Sequence, residues 1–130
     1  MEILQPRDWP RPKGYSNGVT ARGRFVVLAG QVGWDAGGRL VGEDLVAQLR
    51  QAFLNIRTLL AEAGAGPEHL VRLTWFIADE TEYGARLAEI GAAYREVFGK
   101  VFPPMSVIAV KGFVEPGAKA EIEATAIIPD

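Results

Sequence analysis

The sequence predicts a single α+β domain in which two helices cover one face of a mixed β-sheet. Apolar residues recur at helical spacing in two stretches and alternate with polar residues in several shorter ones, and glycine or proline separates these stretches. The length of 130 residues corresponds to one domain. We therefore expect one domain over residues 1–130 with the element order β-β-α-β-α-β-β.

The composition is that of a folded protein, with 48% hydrophobic and 23% charged residues and a net charge of -2. The chain has no cysteine and one histidine, which excludes disulfides, thiol nucleophiles and Cys/His zinc sites. No stretch approaches the ~18 consecutive apolar residues of a membrane span, and no signal-peptide pattern precedes the domain, so we expect a cytoplasmic protein without membrane contact. The net negative charge argues against nucleic-acid binding, because phosphate affinity depends on clustered lysine and arginine.

The first third of the chain predicts an arm, a hairpin and a loop. Residues 1–14 contain three prolines and no apolar periodicity, which predicts an irregular N-terminal arm. Residues 19–20 and 25–29 predict a hairpin whose second strand is buried on both faces. The glycine-rich stretch 30–38 predicts a loop.

Two helices follow from apolar residues at every third or fourth position. Asp44 is a typical N-cap residue before the first helix, and Gly64 is a typical stop after it. The second helix is expected to begin at Asp79 or Thr81, where acidic residues occupy the first turn, and to end at Gly99.

Three further strands are predicted over residues 71–77, 106–111 and 118–128. In the last strand alanine and isoleucine at even positions point to one face, and Glu121, Glu123 and Thr125 point to the other. The other strands are apolar on both faces. Since the helices cover one face only, a monomer would expose apolar sheet surface, and we expect a closed homo-oligomer that buries it.

Six short blocks occur in the order typical of one known family: GYSN at 14–17, LAGQ at 28–31, QLRQAFLNI at 48–56, AG at 63–64, YREVF at 94–98 and EIEA at 121–124. Through these blocks the chain resembles the RidA/YjgF family from about residue 14 to residue 128. The resemblance implies a chorismate-mutase-like fold and a homotrimer with sheets facing a central barrel and ligand clefts between neighbouring subunits. It also implies hydrolysis of a reactive enamine or imine to a carbonyl compound and ammonia, with no metal or cofactor.

The same resemblance assigns site residues. The family glutamate that positions or activates water corresponds to Glu121, and the cleft tyrosine corresponds to Tyr15. The other ligand-facing positions correspond to Gly30, Gln31, Trp34, Met105, Ser106 and Val107. The residues by themselves leave alternatives, in which Glu121 is a solvated strand carboxylate, Tyr15 a packing residue and Trp34 an interface anchor.

The departure from the family pattern lies at Met105, where the family block Pro-x-Arg-Ser has an arginine that holds a substrate carboxylate. A thioether offers no donor, and two lost hydrogen bonds to a charged group correspond to roughly a hundredfold in affinity. We therefore expect altered specificity, with Arg11, Arg22 or Lys111 as replacement anchors. The family asparagine in the second helix corresponds to Gly91. The alternative is a non-catalytic trimer that binds a small molecule or a partner protein.

Overall fold

A four-stranded mixed sheet is the centre of the structure, a computed structural model that describes residues 1–130. The elements, in chain order, are β1 (Glu2–Ile3), β2 (Val19–Thr20), β3 (Arg24–Gln31), α1 (Leu45–Glu62), β4 (Leu70–Ile77), α2 (Glu80–Ala85), α3 (Leu87–Phe98), β5 (Met105–Ala109) and β6 (Ala120–Ile128). The sheet has the order β3-β6-β4-β5, in which β4 and β5 are parallel and β6 is antiparallel to both of its neighbours. The predicted α+β class is confirmed.

The helices pack on one face of the sheet, here called the helix face, and leave the opposite, open face uncovered. Along β6 the alternating residues Ala120, Ile122, Ala124 and Ala126 are buried. Phe53 on α1 is fully buried against this face. Alternation from Ala120 to Ala126 therefore separates core residues from open-face residues, as the sequence pattern predicts.

Three expectations for the N-terminal third need correction. Strand β2 pairs with β1, and β3 pairs with β6, so β2 and β3 form no hairpin. The arm is not irregular throughout, because its extended start finds backbone partners such as Gly18, whose carbonyl accepts from the Leu4 N–H at 2.8 Å. Strand β3 is not buried on both faces either, since Phe25 and Val27 on the open face are 69% and 75% exposed.

The second predicted helix is divided into α2 and α3. Of the two predicted starts, Asp79 and Thr81, Asp79 is the cap of α2, and its carboxylate accepts from the N–H groups of Thr81 and Glu82 at 2.9 and 3.1 Å. The helix ends after Ala85, and Arg86, at φ -124° and ψ 24°, interrupts the helical geometry. Gly84 in the last turn of α2 weakens the helix at this point. None of the three helices combines the length and the apolar composition needed to cross a bilayer.

Arg86 connects the start of α1 to the α2–α3 segment. Its guanidinium lies 2.6 Å from a carboxylate oxygen of Asp44, the N-cap of α1, and 2.7 Å from one of Glu89. Hydrogen bonds from Arg86 hold the pKa of both carboxyls below their ordinary values of 3.8 and 4.5. The ion pairs therefore stabilise the charged form of both carboxyls. Through them Arg86 connects the α2–α3 segment to the start of α1.

Gln48 is the buried polar side chain of the core. Its amide nitrogen donates to the carbonyl oxygens of Gly42 at 2.8 Å and Gly117 at 3.1 Å. Its amide oxygen accepts from the Lys119 N–H at 2.7 Å. One side chain thus joins α1 to the loop before it and to the turn before β6. Gly33 packs on the same residue, because a Cβ at position 33 would lie 2.7 Å from the Gln48 Cα.

We expect Gln48→Leu to lower the free energy of unfolding by about 2 to 4 kcal/mol, because two carbonyl groups and one N–H lose their hydrogen bonds to a fully buried side chain. Urea unfolding measures the change. The matched control is Gln51→Leu one turn further along α1, which removes a single helix-surface hydrogen bond to Asn55 and is expected to cost about 0.5 kcal/mol. Equal losses in the two variants would contradict the role of Gln48.

We expect the stabilisation from Arg86 to depend on pH. A carboxyl whose pKa is lowered by folding contributes stability above its ordinary value and loses it as the pH falls through the folded value. The difference in melting temperature between the wild type and Arg86→Gln should therefore shrink from about pH 7 to about pH 3. Arg7→Gln, which removes an arginine without an ion pair, is the control. A difference that stays constant over this range would refute the link.

Candidate functional site

An apolar cleft lies on the helix face above β4 and β5, between these strands and α2–α3. Its volume is about 460 Å³, within the range of small-molecule sites. Its walls are formed by Lys13, Gly14, Tyr15, Trp75, Tyr83, Leu87, Ile90, Gly91, Tyr94, Met105 and Val107. Lys13 is the one charged residue among them, so the cleft favours an apolar ligand of low charge.

The register of the two parallel strands builds the sheet side of the cleft. Val107 pairs with Trp75, and Met105 pairs with Leu73. Paired residues of neighbouring strands point to the same face. Met105 accordingly packs against the core that Leu73 belongs to, and the thioether and the indole lie on the same side of the sheet.

Aromatic rings make the cleft wall rigid. The Tyr94 ring stacks on Trp75 and on Phe102 with centroid separations of 6.0 and 5.8 Å. Its hydroxyl donates to the carbonyl oxygen of Val101 at 2.5 Å. Burial raises the pKa of both Tyr83 and Tyr94 above the ordinary value of 10.0, so both hydroxyls are protonated at neutral pH.

The N-terminal segment forms one rim of the cleft. The Ser16 hydroxyl donates to the carbonyl oxygen of Phe102 at 2.7 Å, and the Ser16 N–H donates to that of Pro103 at 3.3 Å. These two bonds hold Tyr15, which is 42% exposed, beside the mouth. Tyr15 is therefore available to a ligand or to a neighbouring protein surface.

Gly91 contributes bare backbone to the α3 wall. A Cβ at this position would lie 3.1 Å from a guanidinium nitrogen of Arg95, one turn further along the helix. The sequence left open whether Gly91 is required by the close approach of another group or is simply tolerated in the helix. The group that approaches it in the structure is the side chain of Arg95.

Glu121 lies on the open face, because its neighbours along β6, Ala120 and Ile122, are buried on the helix face. The carboxylate is half-buried against Gly30. A Cβ on Gly30 would lie 2.5 Å from the nearer carboxylate oxygen. The absent side chain at position 30 thus makes room for the Glu121 carboxylate, and the two residues form one group.

The structure separates the predicted site residues. Tyr15, Met105 and Val107 line the cleft, whereas Ser106 pairs with Thr74 and points to the open face. Glu121 is also on that face. The sheet therefore lies between Met105 and Glu121, and one chain does not bring the two together.

Gln31 and Trp34 lie at a third place, in a shallow groove at the end of β3. The Trp34 carbonyl accepts from the amide of Asn55 on α1 at 2.9 Å. Gln31 donates to the carbonyl of Ala29 at 3.1 Å. These contacts anchor the loop after β3, and neither residue lines the cleft.

None of the candidate replacement cations lines the cleft, neither Arg11 nor Arg22 nor Lys111. The cation that does line it is Lys13. Sequence spacing did not identify Trp75 and the aromatic residues of α2 and α3 as cleft residues, because their spacing is that of ordinary core positions. The one feature of the sequence that pointed to a cleft beside α3 was Gly91, a glycine inside a helix. No group of three or more histidine, cysteine, aspartate or glutamate side chains is placed to hold a metal ion.

Comparison with known proteins gives consistent matches over nearly the whole chain. The profile of the family described as endoribonuclease L-PSP matches residues 9–128. RutC family protein slr0709 of Synechocystis sp. is 29% identical over 99% of this chain and 98% of its own length. The 2-iminobutanoate/2-iminopropanoate deaminase of Salmonella typhimurium is 31% identical over 87% of this chain and 86% of its own length, and that of Capra hircus is 32% identical over 80% and 73%.

Solved structures show the same architecture. The conserved Rid family protein YyfB of Yersinia pestis superposes with a TM-score of 0.86 at 34% identity and covers 98% of each chain. Rv2704 of Mycobacterium tuberculosis, a member of the YjgF/YER057c/UK114 family, gives a TM-score of 0.66 at 35% identity over 88% of this chain and 87% of its own.

Proposed function

The chain belongs to the RidA/YjgF family, whose profile bears the description endoribonuclease L-PSP, and on this premise we propose that it hydrolyses a reactive enamine or imine to a carbonyl compound and ammonia. The observation that carries the proposal is the Glu121 carboxylate held beside the bare backbone of Gly30. Relatives that are about 30% identical are named 2-iminobutanoate/2-iminopropanoate deaminases. An enzyme of this kind needs a carboxylate and a water molecule and no cofactor.

The reaction requires one proton acceptor that later acts as a donor. Water adds to the imine carbon, a C–O bond forms, and the electron pair of the C=N bond moves to nitrogen. Glu121 takes a proton from the water and gives it to nitrogen, which forms the carbinolamine. It then takes the hydroxyl proton of the carbinolamine and passes it to the amino nitrogen, so that the C–N bond breaks, the C=O bond forms and ammonia leaves. Imine and water are consumed and the carbonyl compound and ammonia are formed, with no change in oxidation state.

The site proposed here is completed between neighbouring copies in a homotrimer. The cleft of one chain and the Glu121 group of another would face each other across the interface, since the sheet separates them within one chain. Exposed apolar side chains on the open face support this arrangement: Phe25, Val27 and Ile108 are 69%, 75% and 45% exposed. A closed assembly buries such surface.

Altered specificity follows from the cleft lining. Met105, in the position of the family arginine, presents a thioether on the helix face and cannot hold a carboxylate. The remaining cation of the cleft, Lys13, lies on the exposed rim. We therefore assign this protein a substrate with less negative charge than a 2-imino acid.

The proposal is tested by ammonia release when the protein is coupled to an enzyme that generates 2-imino acids. We expect the wild type to have a low kcat/KM for 2-imino acids. Met105→Arg should raise this value at least about tenfold, because a guanidinium can donate hydrogen bonds to the carboxylate of the substrate. Met105→Leu is the matched control, which changes shape and adds no donor. Glu121→Gln in the Met105→Arg background is expected to abolish the gain.

The outcomes separate the parts of the proposal. A wild type as active as Met105→Arg would refute the altered specificity. Absence of ammonia release above the spontaneous rate in both proteins would refute hydrolysis and would favour the non-catalytic binding protein.

We further expect Gly30→Ala in the Met105→Arg background to lower kcat by about tenfold or more, since the new Cβ displaces the Glu121 carboxylate from its position. The free energy of unfolding should change little, because the displaced atoms are the end of a flexible side chain and Gly30 has no positive φ. Gly112→Ala, which meets no atom within 4 Å, is the control for ammonia release. Unchanged kcat in Gly30→Ala would contradict the positioning of Glu121.

A further inference from the structure

The Tyr83 hydroxyl belongs to the cleft wall and has no hydrogen-bond partner in this chain. The hydroxyl hydrogen bonds of the chain are donated by Ser16, Thr58 and Tyr94. Burial raises the pKa of Tyr83, so protein atoms surround part of its oxygen. The oxygen is still accessible, because the one fully enclosed side-chain polar atom without a partner is Nε1 of Trp75. A partly enclosed and unpaired hydroxyl in a cleft wall is available to a ligand.

The Tyr83 ring packs towards the sheet. It meets the Trp75 ring edge-on, with the ring centroids 6.3 Å apart and the ring planes at 84°. Trp75 is buried on the helix face of β4, and Tyr83 packs against the same hydrophobic core. Both rings line the cleft. The accessible hydroxyl is thus the end of a side chain that packs into the cleft wall.

Contacts within the chain fix Tyr83 in place. Its N–H donates to the carbonyl oxygen of Asp79 at 3.1 Å, and its carbonyl oxygen accepts from the Arg86 N–H at 3.1 Å. The preceding residue, Glu82, pairs with Nζ of Lys119 at 3.2 Å. A hydroxyl on a backbone held at both sides needs little reordering when a ligand binds.

The other polar side chains of the cleft are engaged or lie at its mouth. The Tyr94 hydroxyl is bound to the carbonyl oxygen of Val101. Tyr15 and Lys13 are exposed residues of the N-terminal rim. Tyr83 therefore supplies the accessible side-chain donor of the enclosed part of the wall.

We propose that the Tyr83 hydroxyl donates a hydrogen bond to the nitrogen of an uncharged imine, and to the oxygen of the carbonyl product, while apolar substituents pack on the rest of the wall. A phenol hydroxyl is a neutral donor and suits an uncharged acceptor. A hydrogen bond to nitrogen also draws electron density from the C=N bond, which favours the attack of water on carbon. This inference rests on the proposed function and names the residue that selects its substrate class.

The test is a double-mutant cycle between protein and ligand. The wild type and Tyr83→Phe are each titrated with acetophenone, which has a carbonyl acceptor, and with ethylbenzene, which has the same ring and no acceptor. Acetophenone labelled with ¹³C at the carbonyl carbon reports the hydrogen bond directly, because a donor moves this signal downfield. Tyr94→Phe is the matched control, since its hydroxyl is bound within the chain. Tyr83→Phe removes no hydrogen bond of the folded chain, so it should keep the melting temperature of the wild type.

We expect the wild type to bind acetophenone about fivefold more tightly than Tyr83→Phe does, which corresponds to one neutral hydrogen bond in a site that water reaches. Ethylbenzene should bind equally to both proteins, and the bound carbonyl signal should lie further downfield in the wild type. Tyr94→Phe should keep the wild-type ratio of the two affinities. Equal affinity of the wild type and Tyr83→Phe for acetophenone, or no binding of acetophenone to the wild type, would overturn the inference.

Two further results would also overturn it. An equal loss of affinity for both ligands in Tyr83→Phe would assign Tyr83 to packing alone. Tighter binding of benzoate than of acetophenone to the wild type would indicate an anion held by Lys13. Because the readout is binding, a failure of the proposed function is detected separately, by the ammonia-release assay.

Discussion

Alternation of side chains across the sheet is the constraint on which this structure depends. Strand β6 lies between β3 and β4, and each of its residues must point either into the helix-covered core or to the open face. Ile122 is buried in the core and Glu121 is therefore on the open face. The same rule on β5 sends Met105 and Val107 to the cleft and Ser106 away from it. No side-chain rearrangement within one chain can reverse this division, so a site that uses both groups requires a second copy.

The cleft combines a rigid wall with little polarity. Stacked rings of Trp75, Tyr94 and Phe102 form a continuous aromatic layer, and Met105 adds a flexible apolar side chain beside it. A guanidinium at position 105 would instead have brought a permanent charge into this environment. Met105 thus leaves this part of the cleft without a charge, while the bare backbone at Gly30 keeps space for the Glu121 carboxylate on the other face.

Features that depend on interactions within one helical turn could be predicted from the sequence, and features that depend on distant partners could not. Helix α1 was predicted at its beginning and near its end because Asp44 and Gly64 act on backbone groups within one turn. The pairing of β2 with β1 was not predicted, because it joins segments that are far apart in the sequence. The break at Arg86 was not predicted either, because the apolar spacing continues through it. A contiguous pair of strands resembles a hairpin in sequence whether or not the strands pair.

The sequence by itself determined the α+β class, the alternation along β6 and, through the order of its short blocks, the resemblance that pointed to Glu121, Tyr15 and Met105. These features depend on periodicity and residue type, which are local properties. Only the tertiary structure decided that Met105 and Glu121 lie on opposite faces and that the buried indole N–H of Trp75 has no hydrogen-bond partner in this chain. Strand register and hydrogen-bond satisfaction are properties of the packed chain, because they depend on which distant residues become neighbours.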